Sequence, residues 1–580
     1  MSLEHPTESE DRFTNSNEPE IALVKTNGVP LWFKPVALVT VLATVTIYVL
    51  RLDKVVGMTV DDAWYVLLAK GLATGQGYTV ANSPSPGILP LYPPGFPFLL
   101  SLLYRLAPRF PENVTLLKSV SVLSMLGAGW LTYIYFTKTR SLTQPYALLL
   151  ALSVMLCPPL VFLATSTLMS ECFFTLLILA ALVAAERVVA AQRAGSALAW
   201  GAVILCAVLS AYAFLTRSIA ITLVGAIFLY FIKERCGRSI IFYTAIVTIL
   251  ILPWMAYSRV NTPTYEQIRE QGGQIVMSYG TQFWQRIAAM TGSDTITVAE
   301  VPARVANNLW EIAGRDMLRV AAAPLFEKLR DPYKDAQRLF AKEAEGKQGD
   351  KTEGVIWLSL LLSLFVIIGY VGAWRERFTS VELCVPLMIL LIALWPWETI
   401  RFVLPLTPFL LFYLLKGFQI VTNLISQRTG AAVTLAKLPA LLLLVFFAIN
   451  LYGHISYIAK IRSGDKPQWM KTFAAVESML IWTKQNVPSG ENIVALNPAL
   501  VHLYTGHKTI AWEDPKVRWY VMRKLGIRYF VRFAAYPIPE ESELANYQIS
   551  MQAPDAWGKV IDLGPEATRI LWGATAPDHQ

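Results

Sequence analysis

Two adjacent carboxylates, Asp61 and Asp62, follow the first long apolar stretch of the chain and lie shortly before Tyr65. A carboxylate held near a reacting hydroxyl group can take its proton during attack on an electrophile. Acidic residues at the start of a helix can instead be caps that complement the helix dipole. Adjacent helical residues diverge by about 100°, so we expect one acid to act on an acceptor group and the other to orient it.

Two arginines stand at the ends of later apolar stretches, and both are suited to binding a phosphate. They are Arg217 and Arg401, the second shortly after Glu398. A guanidinium group donates two parallel hydrogen bonds to a phosphate, although interfacial arginines also extend toward water for solvation alone. Glu171 is a further ionisable group at the entry to a span, where an unpaired charge is costly. It has either a functional role or a place in the first turn of a helix that Ser170 caps.

A tyrosine stands at the start of a rigid turn in the first polar region. Tyr92 is followed by Pro93 and Pro94, then by a short apolar run over 98–103. Proline fixes the backbone and removes a hydrogen-bond donor, so this passage cannot form a regular helix. The pattern predicts a turn that returns the chain to the membrane surface, with the Tyr92 side chain as a candidate substrate contact.

The composition requires a membrane. Of 580 residues, 54% are hydrophobic and 16% are charged, with a mean hydropathy of +0.45. This is more apolar surface than one soluble core can bury, so the bilayer must solvate most of it. The formal charge of +9 comes from scattered basic residues in short loops, a pattern typical of cytoplasmic loops rather than of nucleic-acid binding. All five cysteines lie in apolar segments or a short basic loop, which argues against a disulfide framework.

Apolar stretches of spanning length predict a mainly α, polytopic protein with about eleven transmembrane helices. The basic residues place the N-terminus in the cytoplasm and put Arg217 and Arg401 on the opposite side. We expect a cytoplasmic tail over 1–31, a transmembrane domain over 32–459 with outer loops over 53–112 and 258–353, and an outer α/β domain over 460–580. That domain alternates helical and strand-like runs over 469–484, 492–496, 499–504, 517–525, 529–533, 559–563 and 570–572. The predicted spans are 32–52, 113–137, 144–164, 168–186, 197–215, 217–232, 238–257, 354–374, 379–396, 401–418 and 437–459.

Taken in order, these features resemble the membrane-embedded glycosyltransferases of the GT-C superfamily, in the group of protein O-mannosyltransferases and lipid A aminoarabinose transferases. The resemblance extends over most of the chain. It departs from the family at Asp62, where Glu is usual, and at Tyr92, where Lys or His commonly precedes the two prolines. It rests on the acidic pair with Tyr65, the Tyr-Pro-Pro turn, Ser170-Glu171, Leu-Thr-Arg217, Pro253-Trp254 and Arg401-Phe with Pro405 and Pro408.

The resemblance implies an inverting transfer of one sugar from a polyprenyl phosphate donor to a glycolipid, polysaccharide or protein hydroxyl. It implies Asp61 as the general base, Asp62 as its partner and the two arginines as phosphate ligands. Tyr65, Tyr92, Glu171 and Glu398 are further candidates for substrate binding. Some related enzymes need a divalent cation and others do not, and the chain contains no cluster spaced to predict one.

The implied location is the inner membrane of a bacterium, with the site on the extracytoplasmic face. Three alternatives remain. A flippase or transporter of lipid-linked sugars is expected to place its charges near the bilayer midplane. A sensor or scaffold explains the C-terminal domain but not the acidic pair. An oligosaccharide ligase is less favoured because the C-terminal domain has no Trp-Trp-Asp run.

Overall fold

The fold is a bundle of apolar helices with a small sheet domain at its C-terminus. The computed structural model describes residues 31, 33–57, 59–84, 87–195, 199–262, 264, 278–286, 295–327, 353–429, 437–495, 497–511, 527, 529–533 and 558–562. The predicted tail over 1–30 and the predicted C-terminal runs over 517–525 and 570–572 lie outside these residues.

The first half of the chain contributes ten helices. Helices α5 and α6 are separated by a bend of 52° at a short break before Pro158. The residues Ser218–Ala220 form a short 3-10 turn ahead of α9. The helices are α1 (Phe33–Arg51), α2 (Asp61–Ala73), α3 (Gly95–Leu106), α4 (Val114–Lys138), α5 (Gln144–Met155), α6 (Pro158–Thr165), α7 (Glu171–Arg193), α8 (Trp200–Thr216), α9 (Ile221–Lys233) and α10 (Gly237–Asn261).

The second half contributes the outer-loop helices, the last membrane helices and the helices of the C-terminal domain. A π-helical turn, Ile312–Asp316, joins α12 to α13. The helices are α11 (Tyr279–Trp284), α12 (Val301–Glu311), α13 (Met317–Glu327), α14 (Glu353–Glu376), α15 (Val381–Leu394), α16 (Thr399–Val403), α17 (Thr407–Thr429), α18 (Leu438–Arg462), α19 (Gln468–Asn486) and α20 (Pro498–Thr505).

Each of the eleven predicted apolar stretches contains a helix or a set of consecutive helical segments. Among the described residues, seven helices are long and apolar enough to cross a membrane, or eight when α5 and α6 count as one span. The other three stretches form shorter apolar helices: α8, the run Ser218–Lys233 and α15. The prediction of a mainly α, polytopic membrane protein is therefore confirmed, and crossing by the three shorter helices stays a prediction.

Close helix packing in the bundle depends on glycine at one contact. A side chain on Gly369 of α14 would overlap the backbone carbonyl of Tyr413 in α17, and one on Gly417 would overlap the Phe365 carbonyl. Without a hydrophobic force between helices in lipid, such close backbone approach is a main source of attraction. The two helices are thereby fixed beside the segment that carries Arg401.

The C-terminal domain is a four-stranded sheet with α19 and α20 packed on it. The strand order is β2-β1-β3-β4; β1 is parallel to β2 and β3, and β4 runs antiparallel to β3. In the register, Val494 pairs with both Ile510 and Phe530. The predicted strand-like runs near 492–496, 529–533 and 559–563 match strands. The strands are β1 (Ile493–Ala495), β2 (Thr509–Ala511), β3 (Tyr529–Phe533) and β4 (Gly558–Asp562).

Candidate active site

One cavity of about 240 Å³ lies where the start of α2, the end of α8 and the short helix α16 meet. Five of the residues singled out in the sequence line it: Asp61, Tyr65, Tyr92, Arg217 and Arg401. These residues are separated by up to 340 positions in the chain, so their convergence is a property of the fold. The cavity combines a carboxylate with two guanidinium groups, as the sequence predicts for a site that handles a hydroxyl and a phosphate.

The carboxylate of Asp61 is held at both oxygens. The Tyr92 hydroxyl donates to Oδ1 at 2.6 Å, and Nη2 of Arg401 donates to Oδ2 at 2.7 Å. Burial and the neighbouring Asp61 charge raise the pKa of Tyr92 well above its ordinary value, so the phenol keeps its proton and remains a donor. The orientation of Asp61 is thus fixed from two directions.

Glu171 joins the two arginines. Its Oε1 forms an ion pair with Nη1 of Arg217 at 2.9 Å and accepts from Nε of Arg401 at 3.0 Å, and its side chain is fully buried. A buried carboxylate needs such partners because an unpaired charge there is costly. Arg217 and Arg401 are therefore oriented by one shared anion instead of extending separately toward water, which corrects the solvation alternative for both.

Ser170 connects Tyr65 to the same network. Its Oγ lies 3.0 Å from the Tyr65 hydroxyl and accepts from Nη1 of Arg217 at 3.1 Å. Ser170 is the N-cap residue of α7 with Glu171 in the first turn, as the alternative predicts, but the Ser170 side chain makes no capping hydrogen bond. The Tyr65 ring packs edge-on against Tyr92 at 5.4 Å and Phe96 at 5.1 Å between ring centres.

Asp62 and Glu398 are not among the residues that line the cavity. Asp62 is fully buried, and its carboxylate accepts from the backbone N–H groups of Gly57 at 2.9 Å and Ala63 at 3.0 Å. Burial raises the pKa of Asp62, and the hydrogen bond from the Gly57 N–H acts in the opposite direction. Glu398 is exposed, immediately before α16. The roles predicted from the sequence, Asp62 as partner of Asp61 and Glu398 as a substrate contact, therefore stay predictions.

The Tyr92 turn is fixed by contact with α8. The Tyr212 hydroxyl donates to the Gly95 carbonyl at 2.9 Å, and a Cβ on Gly95 would lie 2.7 Å from the Leu215 carbonyl oxygen. Real Cβ atoms do not approach backbone this closely, so only glycine fits between α3 and α8 here. The two prolines and this glycine together bring Tyr92 against Asp61.

The outer loop supplies a wall that the sequence did not reveal. Tyr279 lines the cavity, lies 2.6 Å from the Ser218 hydroxyl and donates to the Leu91 carbonyl at 3.3 Å. Trp395 and Trp397 line the cavity just before α16, and Asn308 donates to the Trp395 carbonyl at 2.8 Å. The two tryptophans close to Arg401 in the sequence could have indicated that they line the site. Nothing in the sequence near Tyr279 indicates that it does.

The residues of the cavity do not fit a divalent cation. Among the described residues that line it, Asp61 is the only carboxylate, and both of its oxygens already accept hydrogen bonds. Two guanidinium groups beside it repel a further cation. Within the described part of the chain, no group of three or more His, Cys, Asp or Glu side chains is placed to hold a metal.

Comparison with known proteins defines the fold. No protein-family model matches the chain, and no curated protein sequence matches it. Among solved structures, apo ArnT from Cupriavidus metallidurans matches with a TM-score of 0.55 at 14% identity over 92% of this chain and 99% of that one. The same protein bound to undecaprenyl phosphate gives 0.46 at 12% identity, over 91% and 98%. An oligosaccharyltransferase from Archaeoglobus fulgidus gives 0.48 at 11% identity, over 92% and 74%.

The likeness to apo ArnT confirms the GT-C resemblance at the level of the fold. The apolar helices and this fold together define an integral membrane protein. At this identity the likeness gives the architecture, and the chemistry has to be argued from the cavity.

Proposed function

We propose that the chain is a membrane glycosyltransferase that moves one sugar from a polyprenyl phosphate to a hydroxyl acceptor. The observation that carries the proposal is the convergence of Asp61, Arg217 and Arg401 on one cavity, with Tyr92 and Glu171 fixing their orientation. A carboxylate opposite two guanidinium groups is what an inverting transfer from a phosphate needs. The GT-C fold supports the same function by analogy.

On the donor side, the two arginines bind the phosphate. In the described part of the chain, Arg401 uses Nε for Glu171 and Nη2 for Asp61, which leaves Nη1 for a ligand. Arg217 uses Nη1 for Glu171 and Ser170, which leaves Nε and Nη2. These N–H groups stabilise the negative charge that grows on the phosphate oxygen as its bond to the anomeric carbon breaks.

On the acceptor side, Asp61 is the base. The acceptor oxygen attacks the anomeric carbon from the face opposite the phosphate, and its proton passes to the Asp61 carboxylate. The new bond joins the acceptor oxygen to the sugar, the bond to the phosphate oxygen breaks, and the free polyprenyl phosphate leaves. Attack in a single displacement inverts the configuration at the anomeric carbon. The phosphate competes for the Arg401 guanidinium and thereby loosens its bond to Asp61 Oδ2.

We place the cavity on the extracytoplasmic face of a bacterial inner membrane. The basic turns at the other ends of the helices support this orientation. They include the loop of Lys138 and Arg140 and the loop of Arg375 and Arg377. Donors on polyprenyl phosphate lie in the bilayer, so their headgroups reach a cavity at the membrane surface without leaving it.

Purified protein in liposomes separates the proposal from its competitors. Liposomes that contain a set of polyprenyl phosphate sugars are incubated with acceptor lipids, and products are identified by mass spectrometry. The expected result is a mass increase of one sugar on the acceptor and release of polyprenyl phosphate. Movement of intact lipid-linked sugar between leaflets with no transfer indicates a flippase, and transfer of a whole oligosaccharide indicates a ligase.

A further inference from the structure

The backbone immediately before Asp61 is strained. Val60 has φ 61° and ψ −56°, and the Asp61 N–H donates to the Thr59 carbonyl at 2.6 Å, which forms a γ-turn of the rare type with positive φ. For a β-branched residue this conformation is an outlier that costs about 1–3 kcal/mol. Such a turn persists only where surrounding contacts hold it.

Contacts from two sides hold the segment around the turn. Thr59 Oγ1 donates to Met169 Sδ at 3.4 Å, and the C-terminal domain contacts Gly57. Nδ2 of Asn497, just before α20, donates to the Gly57 carbonyl at 2.9 Å. The Gly57 N–H in turn donates to Asp62 Oδ2 at 2.9 Å. Asn497 is 2% exposed and Asp62 is fully buried, so water does not compete for either bond. A buried relay therefore joins the C-terminal domain to Asp62, the residue next to Asp61.

Gly57 is shaped for this contact. Its φ of 98° is a conformation that other residues rarely adopt, and the Leu500 side chain fills the space that a Cβ would need. The same domain interface has separate contacts further from the turn. Nδ2 of Asn82 donates to Thr509 Oγ1 at 3.0 Å, and Lys508 donates to the Ala81 carbonyl at 2.6 Å.

We propose that the C-terminal domain positions the proposed base Asp61. Asn497 does so through hydrogen bonds by way of Gly57 and Asp62, which fix the backbone beside Asp61. The domain is thus part of the catalytic unit and not an appended binding module. Arg217 directly follows α8 and Arg401 lies in α16, both outside this relay, so loss of the relay displaces the base and leaves phosphate binding in place. This inference rests on the proposed function for its kinetic consequence, whereas the relay itself is testable without activity.

The test compares Asn497→Ser with the matched change Asn82→Ser in the full-length protein. Serine keeps the helix-capping ability of Asn497, whose oxygen accepts from the Leu500 N–H, but is too short to reach Gly57. Asn82→Ser weakens the same domain interface without touching the relay. Transfer kinetics are measured in liposomes, and hydrogen exchange of the amides over 57–63 is measured by mass spectrometry.

For Asn497→Ser we expect kcat to fall about tenfold, with the KM for the donor within twofold, since a small displacement of a base lowers the rate without removing binding contacts. Exchange over 57–63 is expected to rise at least fivefold in this variant and to stay unchanged in Asn82→Ser, which keeps wild-type kcat. Equal kcat loss in both variants, or unchanged exchange in Asn497→Ser, overturns the positioning relay.

Two further outcomes keep the inferences separate. If the wild-type protein transfers no sugar, the proposed function is wrong. The comparison of hydrogen exchange over 57–63 between the variants then still decides whether the relay holds the turn. If Asn497→Ser does not yield folded protein, Asn497→Thr replaces it, because the threonine hydroxyl can still accept from the Leu500 N–H but is too short to donate to the Gly57 carbonyl. The same rise in exchange over 57–63 is expected, and its absence overturns the relay.

Discussion

Replacing the carboxylate of Asp61 by an amide tests the proposed base with little change in shape. In Asp61→Asn, the amide oxygen keeps the bond from Arg401, and the amide nitrogen donates to the Tyr92 hydroxyl, which changes from donor to acceptor. The fold and the cavity are therefore expected to survive. What is lost is the group that takes the acceptor proton.

The expected loss follows from the chemistry of general-base catalysis. Such a base contributes about 10² to 10⁴ in rate, which corresponds to about 3 to 5.5 kcal/mol of activation free energy at 1.36 kcal/mol per tenfold. We expect single-turnover transfer in Asp61→Asn to fall by at least a hundredfold. Donor affinity is expected to stay within about threefold of wild type, because Arg217 and Arg401 are unchanged.

The assay uses liposomes with saturating donor, quenched at short times, with donor binding measured separately in the absence of acceptor. Asp465→Asn is the matched control because Asp465 is 69% exposed and does not line the cavity. The control is expected to behave as wild type. Transfer by Asp61→Asn within tenfold of wild type refutes Asp61 as the base, and a large loss of donor binding shows that the carboxylate acts on the donor instead.

Three further predictions concern the support of the site. Glu171→Gln removes the anion that the partly buried Arg217 and Arg401 share, so we expect a thermal midpoint below that of wild type, and an equal midpoint contradicts this. Gly95→Ala forces the Tyr92 turn away from the Leu215 carbonyl. We expect this change to lower both the rate of sugar transfer and the thermal midpoint. If both stay at their wild-type values, α3 can shift without cost and the prediction is wrong. Burial raises the pKa of Asp316 from 3.8 to about 7, so the stability of the wild-type protein is expected to fall as the pH rises from about 4 to 7. In Asp316→Asn the thermal midpoint should depend less on pH over this range. An unchanged pH dependence contradicts the assignment to Asp316.

The sequence predicted most of the fold because membrane helices are specified by local apolar length. All eleven predicted stretches are helical, and the C-terminal domain is an α/β sheet domain. Five candidate side chains also meet in one cavity. The sequence marked them because polar groups at the ends of apolar helices are rare. The roles assigned to those five residues remain predictions.

Other features depended on contacts between distant segments, which no local pattern specifies. Asp62 looks equivalent to Asp61 in the sequence, yet Asp62 faces the loop backbone and Asp61 faces the cavity. Ser170 matches a helix-cap pattern, but its hydroxyl contacts Tyr65 and Arg217. Tyr279 lies in a long outer loop without a recognisable motif. In each case tertiary packing decided where the side chain points.

The tyrosine at position 92 has a physical explanation in the charge of the site. The network contains two guanidinium groups and two carboxylates, so it is electrically balanced before donor binds. A lysine or histidine cation in place of Tyr92 would lie against Asp61 and compete with Arg401 for its carboxylate. The neutral phenol instead fixes Asp61 by one short hydrogen bond and adds no charge. In the proposed function, Arg217 and Arg401 would therefore bind the donor phosphate without a third cation at position 92, and Tyr92 would orient the proposed base.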